Sequence, residues 1–359
     1  MRWLAWGPKV PLEYFALLRI ALGLNFMGHG LAKIGLGYLA GGDPLASYLE
    51  NALRSPFVDA PYRAFLQGVV LPNAALFAPI ITVTELVVGL GLILGLGTRL
   101  VAAVALFLGL NYWLSGGVMG VSASLRSFWM IELVVLLAVP GVVWGLDRLL
   151  LGRAPAWLVG RPERLPLDRL HAVAPIAWAK LSGFASQFNY LALLRIMIGF
   201  TWLVAGTSKL VYEAVLTDPR RVGGQIELYG RGGYRDPLSQ QWLDLVLAHY
   251  PFFGPLVVAG ELTAGLLLFL GMGTRVGALV GMWMNFNYLL MKGWLNNDAF
   301  NDRTWIVCQL VIFLTGAGLV AGVDGLLKKY LPRWLTGADA ATDTAEPAGD
   351  LVLDPSPSR

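Results

Sequence analysis

The chain has 359 residues, 56% of them hydrophobic and only 14% charged, against about 25% charged in a typical soluble domain; its mean hydropathy of +0.62 excludes an ordinary water-soluble fold. The net charge of +4 is spread over scattered sites and leaves no nucleic-acid surface. A single cysteine, Cys308, excludes a disulfide framework and a dithiol relay within one chain.

The expected fold is an all-α integral membrane protein with eight transmembrane helices, arranged as two tandem, parallel four-helix bundles. Runs of about twenty apolar residues, enough to cross roughly 30 Å of hydrocarbon, place the spans at 12–34, 76–96, 100–118, 127–146, 189–211, 253–272, 276–292 and 304–323. The first span contains Arg19, exceeds a signal-peptide core and lacks a small-residue cleavage site, so it is expected to remain in the mature protein. Four regions follow: a first membrane unit at 1–150, a basic linker at 151–187, a second unit at 188–330 and a tail at 331–359. The linker is expected to carry a short helix around Ala172–Lys180, and the tail to be disordered from Gly337 onward. Residues 35–74 and 212–250 read as long outer loops that cap a vestibule. Arg2, Lys9, Arg99, the linker cations, Arg275, Lys328, Lys329 and Arg333 share one side of this topology, which places both termini in the cytoplasm.

The two units are copies. Tyr14-Phe-Ala-Leu-Leu-Arg19 recurs as Tyr190-Leu-Ala-Leu-Leu-Arg195, an offset of 176, which also carries Gly30, Lys33, Glu85 and Tyr112 onto Gly206, Lys209, Glu261 and Tyr288. Beyond one inserted residue, Arg126, Gly145 and Asp147 become Arg303, Gly322 and Asp324. Four spans per copy, an even number, relate the copies by an axis along the membrane normal. Pro79 and Pro255 occupy matching places and read as helix openers.

Charge inside the spans marks the candidate site. Arg19, Gly23, Phe26, Gly30 and Lys33 are spaced to share one helical stripe, and Arg195, Gly199, Trp202, Gly206 and Lys209 repeat it. Counted from Pro11 and Pro79, Glu85 falls in depth between Arg19 and Lys33. Two readings are open: Arg19–Glu85 and Arg195–Glu261 as ion pairs that fix helix register, or a polar binding pocket, since ionisable groups within the membrane are functional candidates. Asn111-Tyr112 and Asn287-Tyr288 add amide and phenol groups on the third span of each copy. His29 is unique to the first copy, where Ala205 is its counterpart, and so is Glu132, where Gln309 is. With one histidine in the spans, a bis-histidine haem is not expected, and no metal motif is present.

Leu18-Arg19-Ile-Ala-Leu-Gly23, His29-Gly30-Leu-Ala-Lys33, Glu85 ahead of Gly95-Leu-Gly97-Thr98-Arg99, and Gly145-Leu-Asp147 resemble the DoxX/DoxD family of bacterial and archaeal membrane proteins. The second copy matches through Glu261, Asn301-Asp302-Arg303 and Gly322-Val-Asp324. The resemblance implies a subunit of thiosulfate:quinone oxidoreductase type in the cytoplasmic (inner) membrane. Its partners would be lipid, a quinone, a sulfur compound, and a second subunit or soluble sulfur-redox enzyme. Arg19, His29, Lys33, Glu85, Arg195, Lys209 and Glu261 then carry the charge chemistry, and Phe26, Asn111, Tyr112, Trp202, Asn287 and Tyr288 flank the quinone ring. A small-anion carrier or channel, or a scaffold for sulfur-redox enzymes, are the competing readings.

Overall fold

A computed structural model describes residues 8–116, 123–166, 181–211, 235–294, 296 and 299–336. The expected linker helix, residues 212–234 of the second outer loop and the tail from Gly337 lie outside them.

The chain is mostly helical. Strand β1 (Lys9–Pro11) leads into α1 (Glu13–Gly35); α2 (Asp43–Leu53) and α3 (Ala60–Phe65) follow, then α4 (Ala74–Leu94), α5 (Thr98–Gly116) and α6 (Ala123–Ala138). Strands β2 (Glu163–Arg164) and β3 (Phe184–Gln187) precede α7 (Phe188–Val211), α8 (Pro237–Ala248), α9 (Tyr250–Leu270), α10 (Thr274–Lys292) and α11 (Phe300–Thr315). Among the described residues five segments are long and apolar enough to cross a bilayer: Glu13–Gly35, Ala60–Leu94, Thr98–Gly116, Phe188–Val211 and Tyr250–Leu270. Leu76, Val87, Phe107 and Leu256 are exposed on their outer faces, a surface suited to acyl chains rather than water. This is a multi-pass membrane protein.

Several expected boundaries shift for local reasons. Residues 35–74 are largely helical, because Pro44 and Pro61 sit in the first turns of α2 and α3, where a missing N–H costs nothing. From Ala60 the chain stays helical through a π turn at Leu66–Val70 and a 3-10 turn at Leu71–Asn73 into α4. Pro79 and Pro255 are therefore not openers; each lies inside its helix. The fourth helix of each half is also shorter than its apolar run. Val139 (φ 52) ahead of Pro140 ends α6, and Gly316 (φ 57), its counterpart at an offset of 177, ends α11.

A small three-stranded sheet, ordered β1-β3-β2, joins the halves. In the antiparallel β1–β3 pair Val10 faces Ser186, which is its own counterpart under the offset of 176. The pseudo-twofold axis relating the copies therefore passes between these two residues. About that axis α6 packs on α7 and α11 packs on α1, so each half is closed by the fourth helix of the other. One apolar core containing Leu18, Leu22, Ile131, Leu194, Ile198 and Val311 spans the junction. Polar pins cross it on both sides: Asn25 Nδ2 donates to Asn301 Oδ1 at 3.0 Å, and the Ser127 and Thr201 hydroxyls lie 2.6 Å apart.

Candidate functional site

The stripe on α1 lies antiparallel against α4, and its glycines let the backbones meet. A Cβ on Gly23 would stand 2.8 Å from the Ile93 nitrogen, and one on Gly89 would stand 2.6 Å from the Met27 nitrogen. The close crossing drives the two charged ends apart. Arg19 reaches the C-terminal end of α4, and Lys33 reaches Glu85. From Leu92 back to Glu85 is seven residues, roughly 10 Å of helix.

The expected Arg19–Glu85 and Arg195–Glu261 ion pairs are thus replaced by another arrangement. Arg19 Nη1 donates to the carbonyls of Leu92 (2.5 Å) and Ile93 (3.2 Å), and Nη2 donates to those of Val143 (3.2 Å) and Trp144 (3.0 Å). Arg195 repeats this on Leu268, Phe269 and Ala321. Trp144 and Ala321, at matching positions, both have φ 48, a left-handed backbone that favours glycine; each arginine ties down the turn that holds it. The changed pairing follows from the register: with Gly23 packed against Gly89 and Ile93, Arg19 lies level with Leu92 and Lys33 lies level with Glu85. Arg19 and Arg195 serve the structure here, holding these turns at a distance from the glutamates.

The motif Gly145-Leu-Asp147 is structural too. Gly95 (φ 61) closes α4, with the Leu96 N–H donating to the Gly91 carbonyl at 2.9 Å, and the chain turns into α5. There the Asp147 carboxylate accepts from the Gly97 N–H (2.7 Å) and the Thr98 N–H (3.0 Å), two donors left over at a helix start. Asp324 does the same for Gly273 and Thr274 at 2.7 and 2.9 Å. Asp147→Ala strands both buried donors and is expected to cost about 2–3 kcal/mol, read as a lowered midpoint of denaturant unfolding with ligand affinity unchanged per folded molecule.

At the other end of each stripe three side chains from three helices converge. Lys33 Nζ contacts both Glu85 oxygens, at 2.8 and 2.6 Å, and Glu85 Oε1 also accepts from the Tyr112 hydroxyl. In the second half Lys209 Nζ lies 2.9 and 3.0 Å from the Glu261 oxygens, and the Tyr288 hydroxyl donates to Oε1 at 2.7 Å. Only 2% of either glutamate side chain is exposed, against 18% of Lys33 and 17% of Lys209. The lysine ends face open space.

That space is a cavity in each half. The first, about 390 Å³, has Lys33, Glu85 and Tyr112 on one wall, with Asn25, Phe26, His29, Glu132 and Asn301 on the others. The second, about 320 Å³, sets Lys209, Glu261 and Tyr288 among Trp242, Phe253, Trp283, Met284 and Met291. The outer helices cover both: Leu45 and Tyr48 of α2 line the first, and Trp242 and Val246 of α8 line the second. Tyr38, in the turn after α1, also lines the first; burial raises its pKa above the ordinary tyrosine value, with Tyr48 and Glu85 adding to the effect, so its hydroxyl stays a neutral donor.

His29 Nε2 lies 3.2 Å from Asn301 Oδ1, so the first cavity is completed by the other half of the chain. Of the residues expected to flank a ring, Phe26, Tyr112, Asn287 and Tyr288 line cavities. Asn111 does not: one position from Tyr112 it faces α3, accepting from the Tyr62 hydroxyl at 3.0 Å and donating to the Phe107 carbonyl at 2.7 Å. Trp202 is buried behind the second cavity, its ring 5.5 Å from Trp305 and 6.3 Å from Tyr288. Asn25, Tyr48 and Asn301 were not expected at the site. For Asn25 the available signal was an amide within an apolar span.

Among the described residues no group of three or more His, Cys, Asp or Glu could hold a metal ion. The arrangement offers instead a hydrogen-bonded ammonium, carboxylate and phenol on the wall of a mainly apolar pocket, a set able to bind a polar head group and move protons to it.

Residues 190–338 match the family model described as TQO small subunit DoxD, and residues 14–117 match the DoxX model. The chain belongs to the DoxX/DoxD family. The DoxX and DoxD matches include the Lys33–Glu85–Tyr112 and Lys209–Glu261–Tyr288 groups respectively, so both family units carry the same chemistry within one chain. Curated proteins and solved structures give no match. The DoxX/DoxD assignment is that of a membrane oxidoreductase-type subunit.

Proposed function

We propose that this chain reduces a membrane quinone with electrons from thiosulfate or a related sulfur compound. In this reading it spans the inner membrane of a bacterium or archaeon eight times, as two parallel four-helix units with both termini in the cytoplasm. The observation that carries the proposal is the Lys–Glu–Tyr group repeated on the wall of a cavity in each half.

Converting a quinone to its quinol takes up two electrons and two protons. Oxidation of two thiosulfate ions to tetrathionate releases two electrons, so the exchange balances. Lys33 and Tyr112, or Lys209 and Tyr288, are donors for a ring oxygen, and the glutamate carboxylate between them takes a proton from water and relays it to whichever donor has given one up. Aromatic walls such as Phe26, Phe128, Trp242 and Phe253 exclude water and hold the ring. Thiosulfate, as a dianion, is drawn toward the lysine ends. The one cysteine, Cys308, is buried, and electrons pass by direct contact of donor and quinone or through a sulfur-handling partner subunit.

The test is quinol formation by purified protein in lipid nanodiscs after thiosulfate is added. Glu85→Gln combined with Glu261→Gln is expected to lower turnover by about 100-fold or more, the usual share of a positioned acid or base. An unchanged rate in that double variant removes the site. Thiosulfate counterflow into liposomes without quinol formation replaces the reading with anion transport, which the cavity-lining Lys33, Lys209 and Lys292 would serve.

A further inference from the structure

Among the differences between the halves is a facing pair of side chains on the third and fourth helices. In the second half Asn285 on α10 donates through Nδ2 to Gln309 Oε1 on α11 at 3.1 Å, and this amide pair is buried. The counterparts in the first half are Gly109 (285 − 176) and Glu132 (309 − 177). Where the asparagine side chain would stand, Gly109 leaves room, and the Glu132 carboxyl fills it: a Cβ on Gly109 would collide with that carboxyl. Glu132 is 1% exposed and lines the first cavity, and its Oε2 has no hydrogen-bond partner among the described residues. An ionised carboxylate there would find no donor for Oε2 among the described residues to offset its desolvation, whereas the neutral acid offers an O–H to whatever fills the cavity. Along α5, Gly109 precedes Tyr112 by one turn, roughly 4.5 Å of rise. The two carboxyl groups of the first cavity, Glu132 and Glu85, thus meet α5 one turn apart.

We propose that Glu132 is a second acid of the first cavity, which hydrogen-bonds one oxygen of a ring quinone and gives it a proton while the Lys33–Glu85–Tyr112 group serves the other oxygen. The inference rests on the quinone reading above and adds to it that only the first half is equipped for both protons. In the step, two electrons from the sulfur donor enter the ring, each carbonyl becomes a C–O–H, and the Glu132 O–H bond breaks to supply one of the two protons. The resulting carboxylate regains its proton from water. In the second half the Asn285–Gln309 amides have no proton to give.

The test uses the full chain in nanodiscs with decylubiquinone as the probe. Infrared difference spectra are recorded while the bound quinone is reduced at an electrode, with no sulfur donor present. A carboxylic acid C=O band is expected to shift on reduction, as the partner of the reprotonated Glu132 changes from quinone to quinol, in the wild type and in Glu261→Gln, and to be missing in Glu132→Gln. The amide of Glu132→Gln keeps a donor for the ring oxygen, so its decylubiquinone Kd is expected to stay near that of the wild type while thiosulfate-driven turnover drops about 100-fold. As a gain in the opposite direction, Asn285→Gly with Gln309→Glu is expected to add a second band. Wild-type turnover in Glu132→Gln, or a band that survives that substitution, overturns the proposal. If the wild type forms no quinol from thiosulfate but the Glu132 band still responds at the electrode, the sulfur donor is wrong and the acid stands. If decylubiquinone does not bind, both fall.

Discussion

Arg19→Met is expected to destabilise the protein by about 3–5 kcal/mol, and Arg195→Met by a similar amount, because each leaves several buried carbonyls without a donor. Both arginines are fully buried. Arg19 serves carbonyls at the end of α4 and in the turn after α6, so one planar group ties α1 to two segments remote in sequence. A lysine is a point donor on a flexible stem and cannot reproduce that fork, so Arg19→Lys is expected to recover less than half of the loss. Denaturant unfolding in mixed micelles measures both variants. Decylubiquinone affinity per folded molecule separates this role from a catalytic one: it is expected to be unchanged, since the guanidinium lies about 10 Å along α4 from Glu85. A variant of wild-type stability that has lost affinity would return Arg19 to the site.

The site and its framework were legible to different degrees, and the reason is whether the information is local. The lysine and glutamate were legible because charge within an apolar run needs a partner, and both copies repeat the pair. Which cation the glutamate takes was not, since that depends on the register of α1 against α4, set by the Gly23–Gly89 contact between helices remote in sequence. A proline at position 79 resembles a helix start, yet the helix runs through it from Ala74. The helices within 35–74 were signalled by Pro44 and Pro61 in first-turn positions, but a segment between spans reads as loop when only long apolar runs are sought. Asn301 reaching His29 could not be read at all, because it requires α11 of one half to pack on α1 of the other. Glu132 stood out as single-copy, but its meaning appears only when Gly109 is found opposite it.

The same register explains why one lysine matters to both stability and chemistry. Lys33→Met leaves Glu85, 2% exposed at its side chain, with the Tyr112 hydroxyl and no cation. Removing one partner of a buried pair costs about 3–5 kcal/mol, whereas replacing both partners by neutral groups is far milder. The expected result is therefore non-additive: Lys33→Met alone loses about 3–5 kcal/mol, and Lys33→Met with Glu85→Gln regains most of it, a coupling of about 2 kcal/mol or more. Lys209 and Glu261 are expected to behave alike, because their exposure and distances nearly match. Turnover should separate from stability in this cycle. The double variant folds but has lost both the ammonium and the carboxylate, so its quinol formation is expected to fall at least as far as that of Glu85→Gln. If Lys33→Met instead costs under about 1 kcal/mol, as an exposed pair would, water reaches Glu85 freely and the low-dielectric pocket on which the proton chemistry depends does not exist.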